Sequence, residues 1–314
     1  MRIAILDDYQ NVALGLADWD CLDADVHVFT EHIADSDELV RRLAGFDVVV
    51  AMRERTPFDE WVLSRLPELR LLVTTGQRNA SIDVEAARRH GIVVCGTGYV
   101  AHPTVELTWA LILAASRNLH TELRAMREGG WQTTLGTSLR GRTLGVLGLG
   151  RLGAQVARVG QAFGMRTIAW SHNLTQERAA EHDVTAVSKE ELLASADVLT
   201  VHLVLSERTR GLIGAAELAA MKPTALLVNT SRAPIVDTGA LVHALRHGVI
   251  GAAALDVYDV EPLPSDHPLR SLPNAVLTPH IGFVTRDTYE VFYRDAVADI
   301  AAFSRGEPVR VLES

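Results

Sequence analysis

Short apolar runs separated by amphipathic stretches recur along almost the whole chain. In the first third they are Arg2–Leu6 (RIAIL), Val26–Phe29 (VHVF), Asp47–Ala51 (DVVVA), Leu69–Thr75 (LRLLVTT) and Ile92–Gly96 (IVVCG). Helical patterns fall between them at ELVRRLAG, DEWVLSRL and VEAARRHG. The same rhythm resumes at Thr143 with TLGVLG and continues through RTIAW, VTAV, DVLTVHL, TALLVN, IGAAALDV and AVLTPH. The runs are β-branched, bounded by Gly, Asp or Pro, and do not alternate apolar with polar. That pattern predicts parallel strands buried on both faces and linked by helices.

Between the two series lies a longer helical stretch, predicted over residues 103–128. Pro103 stands near its first turn, where a missing N–H costs nothing, and Gly129-Gly130 closes it. A second long helix is predicted over residues 285–304, after the last strand, where it can carry the chain back to the first series. The expected fold is α/β with two similar parallel-sheet domains. One is discontinuous, residues 1–99 with 285–314, and the other, residues 100–284, is inserted into it.

Composition narrows the function. The length of 314 residues allows about two domains of ~100–200 residues each. The formal net charge of −9 argues against a nucleic-acid surface, and means that an anionic substrate must be drawn in by local cations. Two cysteines, Cys21 and Cys95, cannot build a disulfide framework, which favours a reducing compartment. The N-terminal residues lack a signal-peptide pattern, and no apolar run reaches the ~18 residues of a membrane span. A cytoplasmic protein is expected, with no membrane or nucleic-acid partner. The histidine spacing suggests no metal site.

Gly148-Leu149-Gly150-Arg151-Leu152-Gly153 is a G-x-G-x-x-G between a predicted strand and a predicted helix. There Gly148 permits the tight turn, Gly150 lets a pyrophosphate approach the backbone, and Gly153 lets the helix pack on the strand. Arg151 and Leu152 begin the helix whose free N–H groups would face the phosphates. The next strand ends at Ser171-His172-Asn173, and no acid appears until Glu177. A carboxylate there would repel a 2′-phosphate, so its absence makes NADP acceptable, although no Arg stands ready to clamp that phosphate. The cofactor is expected to be NAD or NADP, with a lean to NADP.

Three further segments each begin at the end of a predicted strand, where open α/β sheets bind ligands. They are Asn229–Asp237 (NTSRAPIVD), Leu255–Pro262 (LDVYDVEP) and Thr278–Gly282 (TPHIG). Reduction of a 2-keto acid needs a proton donor for the developing alkoxide and a cation for the carboxylate or carbonyl. His280 and Arg232 are of those types. With the glycine turn, Thr104-Val105-Glu106 and Gly211-Leu212-Ile213, these segments make the sequence resemble the D-isomer-specific 2-hydroxyacid dehydrogenase family over nearly its full length.

The resemblance implies a homodimer of subunits in which a Rossmann-type dinucleotide domain is inserted into a flavodoxin-like substrate domain, with the active site in the cleft. It implies that His280 is the general acid/base, that Glu261 orients it and stabilises the imidazolium, and that Arg232 clamps a small 2-keto or 2-hydroxy acid. Asp256, Thr230 and Thr104 would line the nicotinamide side, and Ser171 and His172 the adenosine side. His202 either lines the cofactor cleft or packs. The helix after Pro103 and residues 131–140 are candidates for the dimer interface.

Two departures stand out. Ala233 replaces a usual Gly beside Arg232. The loop Gly76-Gln77-Arg78-Asn79-Ala80-Ser81-Ile82-Asp83 has Arg78 where Gly is usual and Ala80 where Asp is usual. Gly76, Gln77, Arg78 and Arg53 are nevertheless the candidates for binding the substrate anion. Formate dehydrogenase chemistry, whose family pairs the His with Gln, is disfavoured by Glu261. A dinucleotide-sensing corepressor-like protein with little turnover is the alternative from another class.

Overall fold

The computed structural model describes residues 1–313, which form two compact units, residues 1–100 with 284–313 and Ala101–Phe283. The first unit holds β1 (Arg2–Ile5), β2 (Asp25–Val28), β3 (Val48–Ala51), β4 (Leu71–Thr74) and β5 (Val93–Gly96). Their order in the sheet is β2-β1-β3-β4-β5, all parallel, which is the flavodoxin-like order. The second unit holds β6 (Thr143–Leu147), β7 (Arg166–Trp170), β8 (Thr185–Ala186), β9 (Val198–Val201), β10 (Leu226–Asn229), β11 (Ala252–Leu255) and β12 (Ala275–Leu277). Their order is β12-β11-β10-β9-β6-β7-β8, again parallel, with the reversal of direction at β6 that marks a Rossmann-type sheet.

Apolar runs become strands here because both faces of each sheet are covered. In the second unit Leu144, Val146, Leu226, Val228 and Ala254 join one core cluster, while Leu147, Leu227, Ala253 and Leu255 join the other. Successive side chains thus enter opposite cores, as a period of two requires. In the first unit Ala4, Val49, Leu72 and Val94 feed one face, and helix Arg286–Ser304 packs against β4 with Phe292, Tyr293 and Ile300 wholly buried. Burying each such side chain contributes about 1.5–3 kcal/mol.

Three expectations need correction, and one strand pairing was not foreseen. The helix expected over 103–128 is two helices, His102–Ser116 and Leu119–Arg127, because Asn118 between them is left-handed (φ 51°). The apolar pattern runs through that break, so periodicity could not show it. The run VTAV contributes only the two-residue β8. β2 is half exposed in alternation, as an edge strand can be. Finally, residues 310–312 return along β5 in antiparallel fashion: Gly96 N–H donates to Arg310 O and Leu312 N–H to Val94 O.

Most helices start on a side chain that accepts a first-turn N–H: Asp35, Asp59, Asp83, Thr175, Ser188, Asp237 and Thr285. Such caps are worth about 1 kcal/mol each. Helix Arg151–Ala162 instead starts on Gly150 with no side-chain cap.

Candidate active site

Because all seven strands of the second unit are parallel, their C-terminal ends lie along one edge of the sheet. The segments that follow them are thereby placed in the order His280 (after β12), Asp256 (after β11), Thr230–Arg232 (after β10), His202 (after β9), Gly148 (after β6) and Ser171-His172 (after β7). Neighbouring strands are ~4.8 Å apart, so the β10 and β12 ends are separated by about 10 Å, the width of one intervening strand.

The glycine turn sits at the reversal point. Gly148 has φ 105°, and a Cβ there would lie 2.8 Å from the His202 backbone. A Cβ on Gly153 would lie 2.1 Å from Gly148 O, so helix and turn touch at backbone distance. A Cβ on Gly150 would meet nothing within 4 Å. Open space above an uncapped helix start suits a pyrophosphate, which would take the first-turn N–H groups and the positive end of the helix dipole. The residues present therefore fit a dinucleotide. His202 lies alongside. Its Nε2 is 2.9 Å from Thr200 Oγ1, and burial holds its pKa down to about 4, so the ring is neutral near pH 7.

At the other end of the edge, Glu261 and His280 meet. His280 Nδ1 donates to Glu261 Oε2 at 2.6 Å, and Tyr258 N–H donates to Glu261 Oε1 at 2.9 Å. A carboxylate accepts only, so the pairing puts a proton on Nδ1 and leaves Nε2 for a reacting group. Asp256 is 1% exposed and braces the same loop. Its carboxylate accepts from Thr278 Oγ1 (2.6 Å), Ile281 N–H (2.9 Å) and Gly282 N–H (2.8 Å). Burial pushes its carboxyl up against the pull of these donors. Thr104 Oγ1 donates to Gly282 O at 3.1 Å, tying the start of helix His102–Ser116 to the loop.

Between these ends, Asn229 shapes the Arg232 turn. Its side chain accepts from Ser231 N–H (3.0 Å) and donates to Arg232 O (3.0 Å). Arg232 is half-buried and donates from Nη1 to Ser231 O at 2.8 Å, and Ser231 Oγ donates to Leu203 O at 2.5 Å. Thr230 Oγ1 is 2.8 Å from Thr108 Oγ1. Ser171 is half-buried and His172 exposed, with its ring edge-on to Trp170 at 5.3 Å.

The remaining candidates lie in the first unit. Arg53 follows β3 with φ 53°, and its guanidinium crosses Gly76, where a Cβ would fall 1.8 Å from Nη1. It donates to Thr75 O at 3.2 Å and lies 5.6 Å from the Tyr99 ring centre. Gln77 and Arg78 are exposed on the loop after β4. Asn79, which sequence reasoning passed over, is buried and holds the turn: it donates to Arg53 O at 2.6 Å and accepts from Ser81 N–H at 2.8 Å. The shared Asn-x-Ser of Asn79–Ser81 and Asn229–Ser231 is an Asx-turn signal that could have found both asparagines. Among the described residues no three His, Cys, Asp or Glu side chains converge as metal ligands, and no helix is long and apolar enough to cross a membrane.

Two doubly wound parallel sheets, one with a glycine turn at its reversal point, define a nucleotide-binding α/β protein of dehydrogenase type. Comparison with known proteins is specific. Residues 109–282 match the NAD binding domain of D-isomer specific 2-hydroxyacid dehydrogenases. The chain is 46% identical over 256 residues to a glyoxylate reductase of Aeropyrum pernix, covering 78% of this chain and 76% of that one. It is 38% identical over 277 residues to a D-3-phosphoglycerate dehydrogenase of Archaeoglobus fulgidus, covering 87% of this chain but 52% of the relative, so it spans about half that relative's length. The crystal structure of a phosphoglycerate oxidoreductase from Vibrio cholerae O395 superposes with a TM-score of 0.94 at 42% identity, covering 98% of this chain and 99% of that one. The chain belongs to the D-isomer-specific 2-hydroxyacid dehydrogenase family, nicotinamide-dinucleotide-dependent oxidoreductases acting on CH–OH donors.

Proposed function

We propose that the protein reduces a small 2-keto acid of the glyoxylate or hydroxypyruvate class at C2, with His280 as the proton donor. The observation that carries this reading is the 2.6 Å pair between His280 Nδ1 and Glu261 Oε2, at the sheet edge that also carries the glycine turn. The Ala101–Phe283 unit holds the dinucleotide. Gly148, Gly150, Arg151, Leu152 and Gly153 hold the pyrophosphate, Ser171 and His172 border the adenosine ribose, and Thr104, Thr230 and Asp256 shape the nicotinamide side. When bound, the dinucleotide supplies the hydride. Arg232 orients the carboxylate and polarises the keto oxygen, a task suited to a planar guanidinium. His280 gives its Nε2 proton to that oxygen, and Glu261 stabilises the charged ring beforehand. Arg53, Gly76, Gln77 and Arg78 hold the substrate anion.

NADPH is the preferred cofactor in this reading, because Ser171, His172 and Asn173 bring no carboxylate to repel a 2′-phosphate. The protein acts as a homodimer. Support comes from helix Leu119–Arg127, none of whose residues is buried, with Leu119, Leu123 and Met126 exposed on it and Trp131 and Leu135 exposed just beyond.

The test is a screen of glyoxylate, hydroxypyruvate, pyruvate and bulkier 2-keto acids against NADPH and NADH. Turnover of the small acids, fastest with NADPH, is expected. His280→Ala should lower kcat about 10²–10⁴-fold while cofactor binding persists. Dinucleotide binding without turnover of any keto acid would overturn the reading.

A further inference from the structure

Tyr258 stands between Asp256 and Glu261 in the segment leaving β11, and no role follows for it from the chemistry above. Its backbone N–H holds Glu261 Oε1 at 2.9 Å. Its phenol O–H is shared between two backbone carbonyls, Leu255 O at 3.1 Å and Thr278 O at 2.9 Å. Thr278 O also accepts the backbone N–H of His280 at 3.0 Å. The phenol is therefore bonded to the same carbonyl that anchors the catalytic histidine's main chain. That main chain needs an anchor, since His280 has φ 51°, a left-handed conformation that residues with a Cβ adopt reluctantly.

We propose that Tyr258 is a positioning residue: its hydroxyl holds the left-handed turn at His280 while its amide holds Glu261, so that one residue sets where Nε2 of His280 points. The inference rests on the acid/base reading of His280. Burial pushes the phenol well above its ordinary range, so it remains an O–H donor at any working pH. Removing the hydroxyl orphans neither carbonyl. Leu255 O still accepts Thr278 N–H at 2.9 Å, and Thr278 O still accepts His280 N–H. Tyr258→Phe keeps the ring and both backbone bonds, so it is expected to fold and to lose aim alone. Misplacement by an ångström costs about 10²-fold in rate, and a partial tilt correspondingly less.

The experiment is single-turnover oxidation of NAD(P)H by the turned-over keto acid, so that product release does not mask the chemical step. It compares wild type, Tyr258→Phe, Glu261→Gln, the double variant and His280→Ala. Tyr258→Phe should slow the step about tenfold, with the keto-acid KM and the cofactor Kd within about twofold of wild type and an unchanged Tm. In the Glu261→Gln background, where no carboxylate is left to stabilise the charged ring and the step is already impaired, Tyr258→Phe should cost less than twofold more. A wild-type rate for Tyr258→Phe, a loss confined to KM or Tm, or a full tenfold loss in the Glu261→Gln background would each overturn the inference. Near wild-type turnover by His280→Ala would instead overturn the acid/base reading itself. An inactive His280→Ala beside an unimpaired Tyr258→Phe would sink the positioning role alone.

Discussion

The C-terminal strand ends of the two sheets are built differently. In the seven-stranded unit the polar groups hold one another: His280 on Glu261, Glu261 on the Tyr258 amide, and Asp256 on three donors of the His280 loop. In the five-stranded unit Asp7 is likewise held, by Thr56 Oγ1 at 2.7 Å and the His32 ring at 2.9 Å, but the cations are less enclosed: Arg53 donates to Thr75 O and lies 3.5 Å from Glu54, and Arg78 stands exposed. Its buried Asp299 illustrates the contrast with Asp256. Asp299 is fully buried, yet among the described residues its close cation is Arg310, 2.9 Å away on the returning C-terminal segment and itself 38% exposed. A group saturated with donors is fixed before any ligand arrives, which is what transition-state chemistry requires. A guanidinium carries five N–H donors, so Arg53 retains some for an incoming anion beside its bonds to Thr75 O and Glu54.

The sharpest way to break this comparison is to titrate the poorly supported carboxylate. Burial, with Asp295 nearby, raises the Asp299 pKa to about 7, against Arg310. An unfolded aspartate titrates near 4. The folded chain therefore binds the extra proton between those values, and stability falls as pH rises from about 4 to about 7, then stays low. At ~1.4 kcal/mol per pKa unit, three units amount to about 4 kcal/mol at most. Asp299→Asn lacks this titration. Its stability relative to wild type should rise by up to that amount between pH 4.5 and pH 8 in denaturant unfolding. An equal difference at both pH values would show that Asp299 takes up no extra proton in the folded chain.

Next in size is the glycine turn, where two positions separate fold from ligand. Gly153→Ala drives a Cβ against Gly148 O and should weaken both stability and cofactor binding. Gly150→Ala fills space that is empty of protein, so Tm should hold while the cofactor Kd, read by fluorescence titration, rises about 10–100-fold. If Gly150→Ala binds the dinucleotide like wild type, the open space is not where the pyrophosphate lies.

Legibility follows the same divide. Strands buried on both faces leave an unmistakable apolar run, and a G-x-G-x-x-G turn, or a strand end followed by Asp256, Glu261 or His280, is written locally. What was not legible depends on contacts distant in sequence. The break at Asn118 lies inside a continuing apolar pattern. The pairing of residues 310–312 with β5 needs a partner more than two hundred residues away. Tyr258 acts through Thr278 O, a backbone atom that no side-chain pattern can reveal. Arg53 and Gly76 were readable as candidates, but not that one lies across the other.

The smallest effect is the one that sharpens the comparison most, because it asks how far the five-stranded unit's cations differ among themselves. The Arg53 backbone is held by the Asn79 side chain and its guanidinium by Thr75 O and Glu54, so the cation has a fixed place from which to meet an anion. Arg53→Ala should raise the keto-acid KM about tenfold, the cost of one charge-assisted hydrogen bond. Arg78 is exposed, and a solvated ion contact is worth only ~0.2–1 kcal/mol, so Arg78→Ala should raise KM at most about fivefold and leave kcat alone. If the larger loss came at Arg78, the exposed loop rather than the pinned arginine would be the anion's seat. The usual small residue at position 78 would then have been exchanged for a binding group.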